Sequence, residues 1–312
     1  MNYIQQAYKG YGEWWRYLIT FLVVMSPFLL NFAIVYYMPE VVEMSYQEMA
    51  NIEDKNLFLF QNLSIFVVLL VFLILFVKFL HQRSVISLIT SRPAVDWKRF
   101  FFGFTLWALI SLGFMAFAFI GDSSQLVWNF KPVPFFTLVL VSLMFIPLQT
   151  SFEELMFRGY LMQALGVLAK NRWFPLIVTS VAFGLMHSLN PEVNELGYGI
   201  MVFYIGTGFL YGITTLMDEG TELALGLHAA NNIVAALFIS SDWMVFNTDA
   251  LFLDTAEPSL GLETYVPVFI LYPLVLLVFA KKYHWKNWGA KLAGKVERPV
   301  GEAPVIPENE IF

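Results

Sequence analysis

Long apolar runs separated by short polar segments organise this chain. A transmembrane helix needs roughly 20 mostly apolar residues. Eight runs reach or approach that length, at about 17–38, 57–77, 100–120, 134–152, 174–189, 198–216, 222–239 and 265–280. The first five are rich in Phe, Leu, Val and Ile. The fifth is short, so it tilts or stops part-way through a bilayer. The sixth carries Gly199, Gly206, Gly208 and Gly212, and Gly208 with Gly212 makes a small-xxx-small pair that lets helices approach closely. The first run is too long for a cleaved signal peptide and no small-residue cleavage site follows it. The pattern predicts an all-α fold: a polytopic membrane helix bundle of about eight transmembrane helices.

Composition agrees. Of 312 residues, 58% are apolar and 13% charged, with 32 Phe and a mean hydropathy of +0.66. A soluble domain carries about 45–50% apolar and about 25% charged residues. An ordinary cytosolic enzyme is excluded, and so is disorder. The chain has no cysteine, which removes disulfides, thiolate metal sites and cysteine nucleophiles. A net charge of −6 offers no footprint for nucleic acid.

Charge placement sets the orientation. Eight spans put segments 1–16, 78–99, 153–173, 217–221 and 281–312 on one side, with 16 of the 18 Lys and Arg; Lys55 and Lys131 stand opposite. The opposite segments 39–56 and 240–264 hold Glu40, Glu43, Glu48, Glu53, Asp54, Asp242, Asp249, Asp254, Glu257 and Glu263. The positive-inside rule therefore places both termini in the cytoplasm, as an integral multi-pass protein of the cell (inner) membrane of a prokaryote. Trp14, Trp15 and Tyr17, and Trp285 and Trp288 beside Lys281 and Lys282, read as interfacial anchors. Residues 286–312 read as a mobile tail. No internal repeat is visible, which argues against the inverted halves of a transporter.

Ionisable residues inside a membrane cost about 3 kcal/mol each by insertion scales and mark function by default. Three clusters stand out: Glu153, Glu154 and Arg158 at the close of the fourth run; Phe183 and His187 in the fifth; His228 and Asn232 in the seventh. Glu154 and Arg158, at i and i+4, share a helix face, so the guanidinium can hold one carboxylate ionised. Glu153 lies about 100° round the helix and is free to move protons. His228 and Asn232 also stand at i and i+4, and Phe183 one turn before His187 can wall the site. Peptide hydrolysis needs this set: a carboxylate to take a proton from water and pass it to the leaving amine, and donors for the developing oxyanion. Alternatively Glu153, His187 and His228 ligate zinc with the other Glu as base. Each cluster alone also has a plain reading: an interfacial ion-pair cap, a packed histidine, or interhelical hydrogen bonding by Asn232. Asp218, Glu219 and Glu222 read as loop and helix N-terminal charge.

In order, the clusters resemble those of the CPBP family, the CAAX-protease and bacteriocin-processing intramembrane endopeptidases. That family's pattern is Glu-Glu-x-x-x-Arg, Phe-x-x-x-His and His-x-x-x-Asn on successive membrane helices. Here it reads Glu153-Glu154-x-x-x-Arg158, Phe183-x-x-x-His187 and His228-x-x-x-Asn232, with no position substituted. The resemblance covers about 150–235. It implies a bundle around a water-filled cavity open towards the cytosol, with Glu153 as general base, His187 positioning water, His228 and Asn232 stabilising the oxyanion, and Glu154 with Arg158 as support. It implies no cofactor, with zinc as the alternative. The partners it implies are the lipid bilayer and a membrane-associated peptide or protein substrate, lipidated or not, and no nucleic acid. The chain then divides into a family-variable part at 1–133, catalytic helices at 134–240, an external loop with the last helix at 241–285, and the tail at 286–312. A non-catalytic membrane binding or immunity protein on the same scaffold, and a proton-coupled transporter, remain as alternatives. Depth poses one geometric demand. His187 sits ~20 Å along a straight fifth helix, whereas Glu153 closes the fourth at its cytosolic end. The three clusters meet only if the fifth helix starts deeper or tilts, or the fourth bends at Pro147.

Overall fold

The computed structural model describes residues 1–41, 44–45, 52–121 and 123–299. Glu43, Glu48 and the tail from residue 300 lie outside the described residues, as does the side chain of Glu263. Eight long helices form where the apolar runs are: α1 (Trp14–Tyr37), α2 (Lys55–Leu80), α3 (Trp97–Gly121), α4 (Pro132–Ala169), α5 (Trp173–Leu189), α6 (Tyr198–Asp218), α7 (Glu222–Phe238) and α8 (Thr264–Tyr283). Six of them are long and apolar enough to cross a membrane; α5 and α7 are shorter apolar helices. The chain is an all-α, multi-pass membrane bundle with one small sheet.

Helix ends follow local chemistry. The Asp54 carboxylate accepts from the Leu57 amide at 2.9 Å and starts α2, supplying a partner to a first-turn N–H that has none within the helix. Pro132 opens α4, where a missing N–H costs nothing. α6 stops at Glu219, which takes a left-handed conformation. Close approaches are set by small residues. A Cβ on Gly208 would lie 2.4 Å from the Ser180 carbonyl oxygen, and one on Gly226 would lie 2.1 Å from that of Phe100. Gly208 thus seats α6 on α5, as the small-xxx-small pattern predicts, and Gly226 seats α7 on α3.

The largest departure from the sequence reading is α4. The fourth run closes at 152 by hydropathy, yet the helix continues to Ala169, 38 residues in all. Glu153, Glu154 and Arg158 lower the apolar average without ending the helix, because their polar groups find partners inside the protein. A widened π-helical turn at Leu155–Leu161 lies within this stretch; such bulges re-aim side chains and recur at functional sites. Arg158 therefore belongs to the bundle interior, not to a cytoplasmic loop. That lowers the cytoplasmic share of Lys and Arg by one and leaves the bias standing.

The two ends of the bundle differ. At the end that carries the termini, a 3₁₀ turn (Ile4–Lys9), segment 81–96 and a short helix (Trp288–Ala293) pack across the helix ends. The Thr221 amide donates to the Ile89 carbonyl at 2.7 Å and the Ser91 amide to the Glu219 carbonyl at 3.0 Å. Residues 286–299, read as the start of a mobile tail, are instead docked here. Val296 is buried, its amide donates to the Lys170 carbonyl at 3.0 Å, and the Arg172 side chain donates to the Lys291 carbonyl at 3.1 Å. Trp285 is likewise no free interfacial anchor, because its indole donates to Asp218 at 3.2 Å. At the opposite end lie the acidic connections and a sheet that the sequence reading did not foresee. Its strands are β1 (Leu126–Trp128), β2 (Ile239–Ser240) and β3 (Phe252–Asp254), ordered β1-β3-β2, with β1 antiparallel and β2 parallel to β3.

Candidate active site

The π-helical extension of α4 resolves the depth question. Glu153 lies ~24 Å before the end of α4 and His187 ~21 Å from the start of α5, at 1.5 Å per residue. The two helices are joined by a tight link, so they run antiparallel and bring both residues to a similar depth. α7 enters from the same end and delivers His228 between them.

Two layers make up the cluster. The lower layer, nearer the termini, is sealed: Glu154 and Arg158 are 0% exposed and His228 4%. Arg158 Nη1 donates to Glu154 Oε1 at 3.0 Å, and Nη2 donates to the Gly208 carbonyl at 3.0 Å. The guanidinium sits 4.2 Å from the Phe183 ring centroid and 5.4 Å from that of Tyr211. A buried charge is tolerated when paired, hydrogen-bonded and laid against aromatic faces. Glu154 Oε1 also accepts from His228 Nδ1 at 2.9 Å. A carboxylate accepts only, so Nδ1 carries the proton and Nε2 is the nitrogen left for other work. Tyr211 stacks on the same imidazole with centroids 4.9 Å apart and planes 25° apart. Ring and carboxylate fix His228 as the third member of a catalytic triad fixes its base.

The upper layer holds the open groups. Glu153 Oε1 accepts from Gln149 Nε2 at 2.6 Å. Its Oε2 lies 3.4 Å from His228 Nε2 and has no hydrogen-bond partner among the described residues. Gln149 Oε1 in turn accepts from Asn232 Nδ2 at 3.1 Å, and Asn232 Oδ1 accepts from Asn231 Nδ2 at 3.0 Å. Asn231 Oδ1 is held by the Trp107 indole at 3.1 Å. The Asn232 carboxamide is thus fixed from both ends, with one amide hydrogen to spare. His187 donates from Nδ1 to the Phe183 carbonyl at 2.8 Å, which leaves Nε2 as an acceptor. Its ring stacks on Tyr204 at 4.6 Å, and the Phe183 ring lies 4.8 Å from His187 and 5.8 Å from His228.

All six residues singled out by sequence lie around this one locus. Glu153, Glu154, Arg158 and His228 touch one another; Asn232 joins through Gln149, and His187 through the Phe183 ring. Sequence reading missed Gln149, Asn231, Trp107, Tyr204 and Tyr211. Gln149 alone had a signal, as a polar residue one turn before Glu153 in an apolar run. The zinc alternative fares less well on donor geometry. Among the described residues no three His, Cys, Asp or Glu side chains converge on a common point. His228 spends both nitrogens on carboxylates and His187 turns one to the backbone. The donor set does not fit a three-ligand zinc site, and no step is derived through a metal.

A carboxylate with an open oxygen, held among paired charges deep in a membrane bundle, is the interior an intramembrane hydrolase requires. The segment that builds it, residues 132–234, matches the family model described as Type II CAAX prenyl endopeptidase Rce1-like, so the chain carries a domain of that CAAX-type protease family. The uncharacterized protein YyaK of Bacillus subtilis (strain 168) is 29% identical over 299 residues, covering 93% of this chain and 100% of the relative. That bacterial relative agrees with the prokaryotic setting. No solved structure matches.

Proposed function

We propose that this chain is an intramembrane endopeptidase that hydrolyses a peptide bond in a membrane-associated protein or peptide, lipidated or not, with Glu153 activating water. The observation that supports it most is the open Oε2 of buried Glu153, 3.4 Å from a His228 nitrogen whose partner nitrogen is pinned by Glu154. The Glu153 carboxylate takes a proton from water as the water oxygen bonds to the scissile carbonyl carbon. The carbonyl π electrons move to oxygen, and the spare amide hydrogen of Asn232 and Nε2–H of a protonated His228 donate to that oxyanion. His187 Nε2 accepts from the attacking water and orients it. Collapse reforms the carbonyl, breaks the C–N bond, and the departing amine takes the proton from Glu153. Arg158 keeps Glu154 ionised throughout, which in turn holds His228.

Purified protein in detergent, offered a quenched-fluorescent peptide library beside Glu153→Gln, tests this. Removing a general base costs about 10²–10⁴-fold in rate. A folded variant that cleaves as well as the wild type would overturn the assignment and favour the non-catalytic binding reading.

A further inference from the structure

The two layers of the site differ in what covers them, and that difference fixes a direction. Towards the termini every neighbour of the cluster is closed off: Met156, Arg158 and Tyr160 are 0% exposed and Tyr211 1%. Below them the bundle is plugged by segment 81–96. Leu88 is fully buried, and a Cβ on Gly159 would lie 2.9 Å from its carbonyl oxygen. Tyr3 ties the N-terminal turn to the same floor, donating its amide to Glu219 and its hydroxyl to the Leu88 carbonyl. Towards the other end the residues one turn further on, His187, Tyr204, Asn231 and Asn232, are all partly exposed. That end is strongly acidic. Glu40, Glu53, Asp54, Glu195, Asp242 and Glu257 are exposed there, against Lys55 and Lys131.

We infer that the site opens away from the termini, towards the acidic face, and receives a cationic peptide segment from that side of the membrane. With the termini in the cytoplasm, this is the external side, opposite to the cytosolic mouth that the family resemblance implies. The substrate class rests on the proposed hydrolysis; the position of the mouth does not. Unpaired carboxylates around a low-dielectric opening focus positive potential energy wells and concentrate cations at it.

The absence of cysteine in the chain makes the test clean. Single-cysteine variants Asn232→Cys and, as a second site reporter, His187→Cys are compared in intact cells and inverted vesicles with Lys9→Cys near the N-terminus and Asp242→Cys on the acidic face. Two membrane-impermeant methanethiosulfonates are used, one bearing trimethylammonium and one sulfonate. The expected result is that the site cysteines react from the side on which Asp242→Cys reacts. The trimethylammonium reagent should be favoured several-fold over the ratio for a free thiol, and this preference should collapse in 1 M salt, where the Debye length is about 3 Å. Reaction from the Lys9→Cys side would overturn the proposed mouth. So would no reaction from either side by thiols that react once the protein is denatured. A side as expected without the charge preference would overturn the cationic substrate class. None of these readouts needs catalysis, so the hydrolase reading stands or falls separately on Glu153→Gln.

Discussion

Two clusters of buried carboxylates and arginines lie along the same bundle, and they are finished differently. In the cluster near the termini every carboxylate oxygen is taken. Asp218 accepts from Arg99 and Trp285 on one oxygen and from Arg92 on the other. Glu222 accepts from Arg92 at 3.1 Å and from the Asp96 amide at 3.2 Å. Glu219 accepts from Arg172, Lys291 and the Tyr3 amide. In the cluster within the bundle, Glu153 Oε2 and Glu154 Oε2 have no hydrogen-bond partner among the described residues. Saturated carboxylates hold elements together and have no capacity for a proton in flight. The open ones carry a standing desolvation cost of about 1–3 kcal/mol per unsatisfied group, which a purely structural ion pair has no reason to keep. The lesson is that burial and pairing do not separate scaffold from chemistry here, whereas unfilled acceptor capacity does.

That contrast can be broken in graded ways. Arg158→Met leaves Glu154 charged and alone in a fully buried position, and thermal or denaturant unfolding in detergent should show a loss of about 3–5 kcal/mol. A loss below 1 kcal/mol would mean that Glu154 is not ionised in the fold. His81 offers a comparable effect through pH. Its Nδ1 donates to the Tyr11 carbonyl and Nε2 accepts from the Tyr160 hydroxyl, both at 2.8 Å, which requires the neutral ring. Burial, the largest cause, lowers its pKa from 6.5 to about 4. The unfolded chain therefore binds a proton that the folded chain refuses between those values. Stability should fall as pH drops from 6.5 towards 4, by an amount on the order of 3 kcal/mol at 1.36 kcal/mol per pKa unit. His81→Asn should flatten that slope; an unchanged slope assigns it to other groups. Asp218→Asn should cost less, about 1–3 kcal/mol, because buried donors lose a charged acceptor but Arg92 retains Glu222 and some solvent. At fixed folded fraction its cleavage rate should match the wild type, and a selective loss of rate would place catalytic work at the terminal end. The smallest effect is expected from exhaustive chelation, which should leave cleavage unchanged; activity restored only by added zinc would reassign Glu153, His187 and His228 as ligands.

Much of this was legible in the sequence, for physical reasons. Eight apolar runs became eight helices because a bilayer leaves a backbone little alternative, and three spaced motifs met at one locus because i, i+4 spacing fixes a helix face. The end of α4 was illegible: hydropathy registers Glu153, Glu154 and Arg158 as polar whether or not they are paired, so the run closed seventeen residues early by that measure. Asp218, Glu219 and Glu222 read as solvated charge for the same reason, since their partners Arg92, Arg99 and Arg172 are distant in sequence. The docking of Trp288–Ala293 depends on Glu219 and Lys170 and carries no local signal. Tyr211 lay in a glycine-rich helix that periodicity assigned to packing alone, and only the stacking on His228 gives it a place at the site.

The claim that Glu153 activates water is tested most directly by one comparison: initial rates of peptide cleavage by wild type, Glu153→Gln and Asp218→Asn at equal folded concentration. The expected result is a loss of about 10²–10⁴-fold in Glu153→Gln alone. Equal rates for Glu153→Gln and the wild type would contradict the assignment.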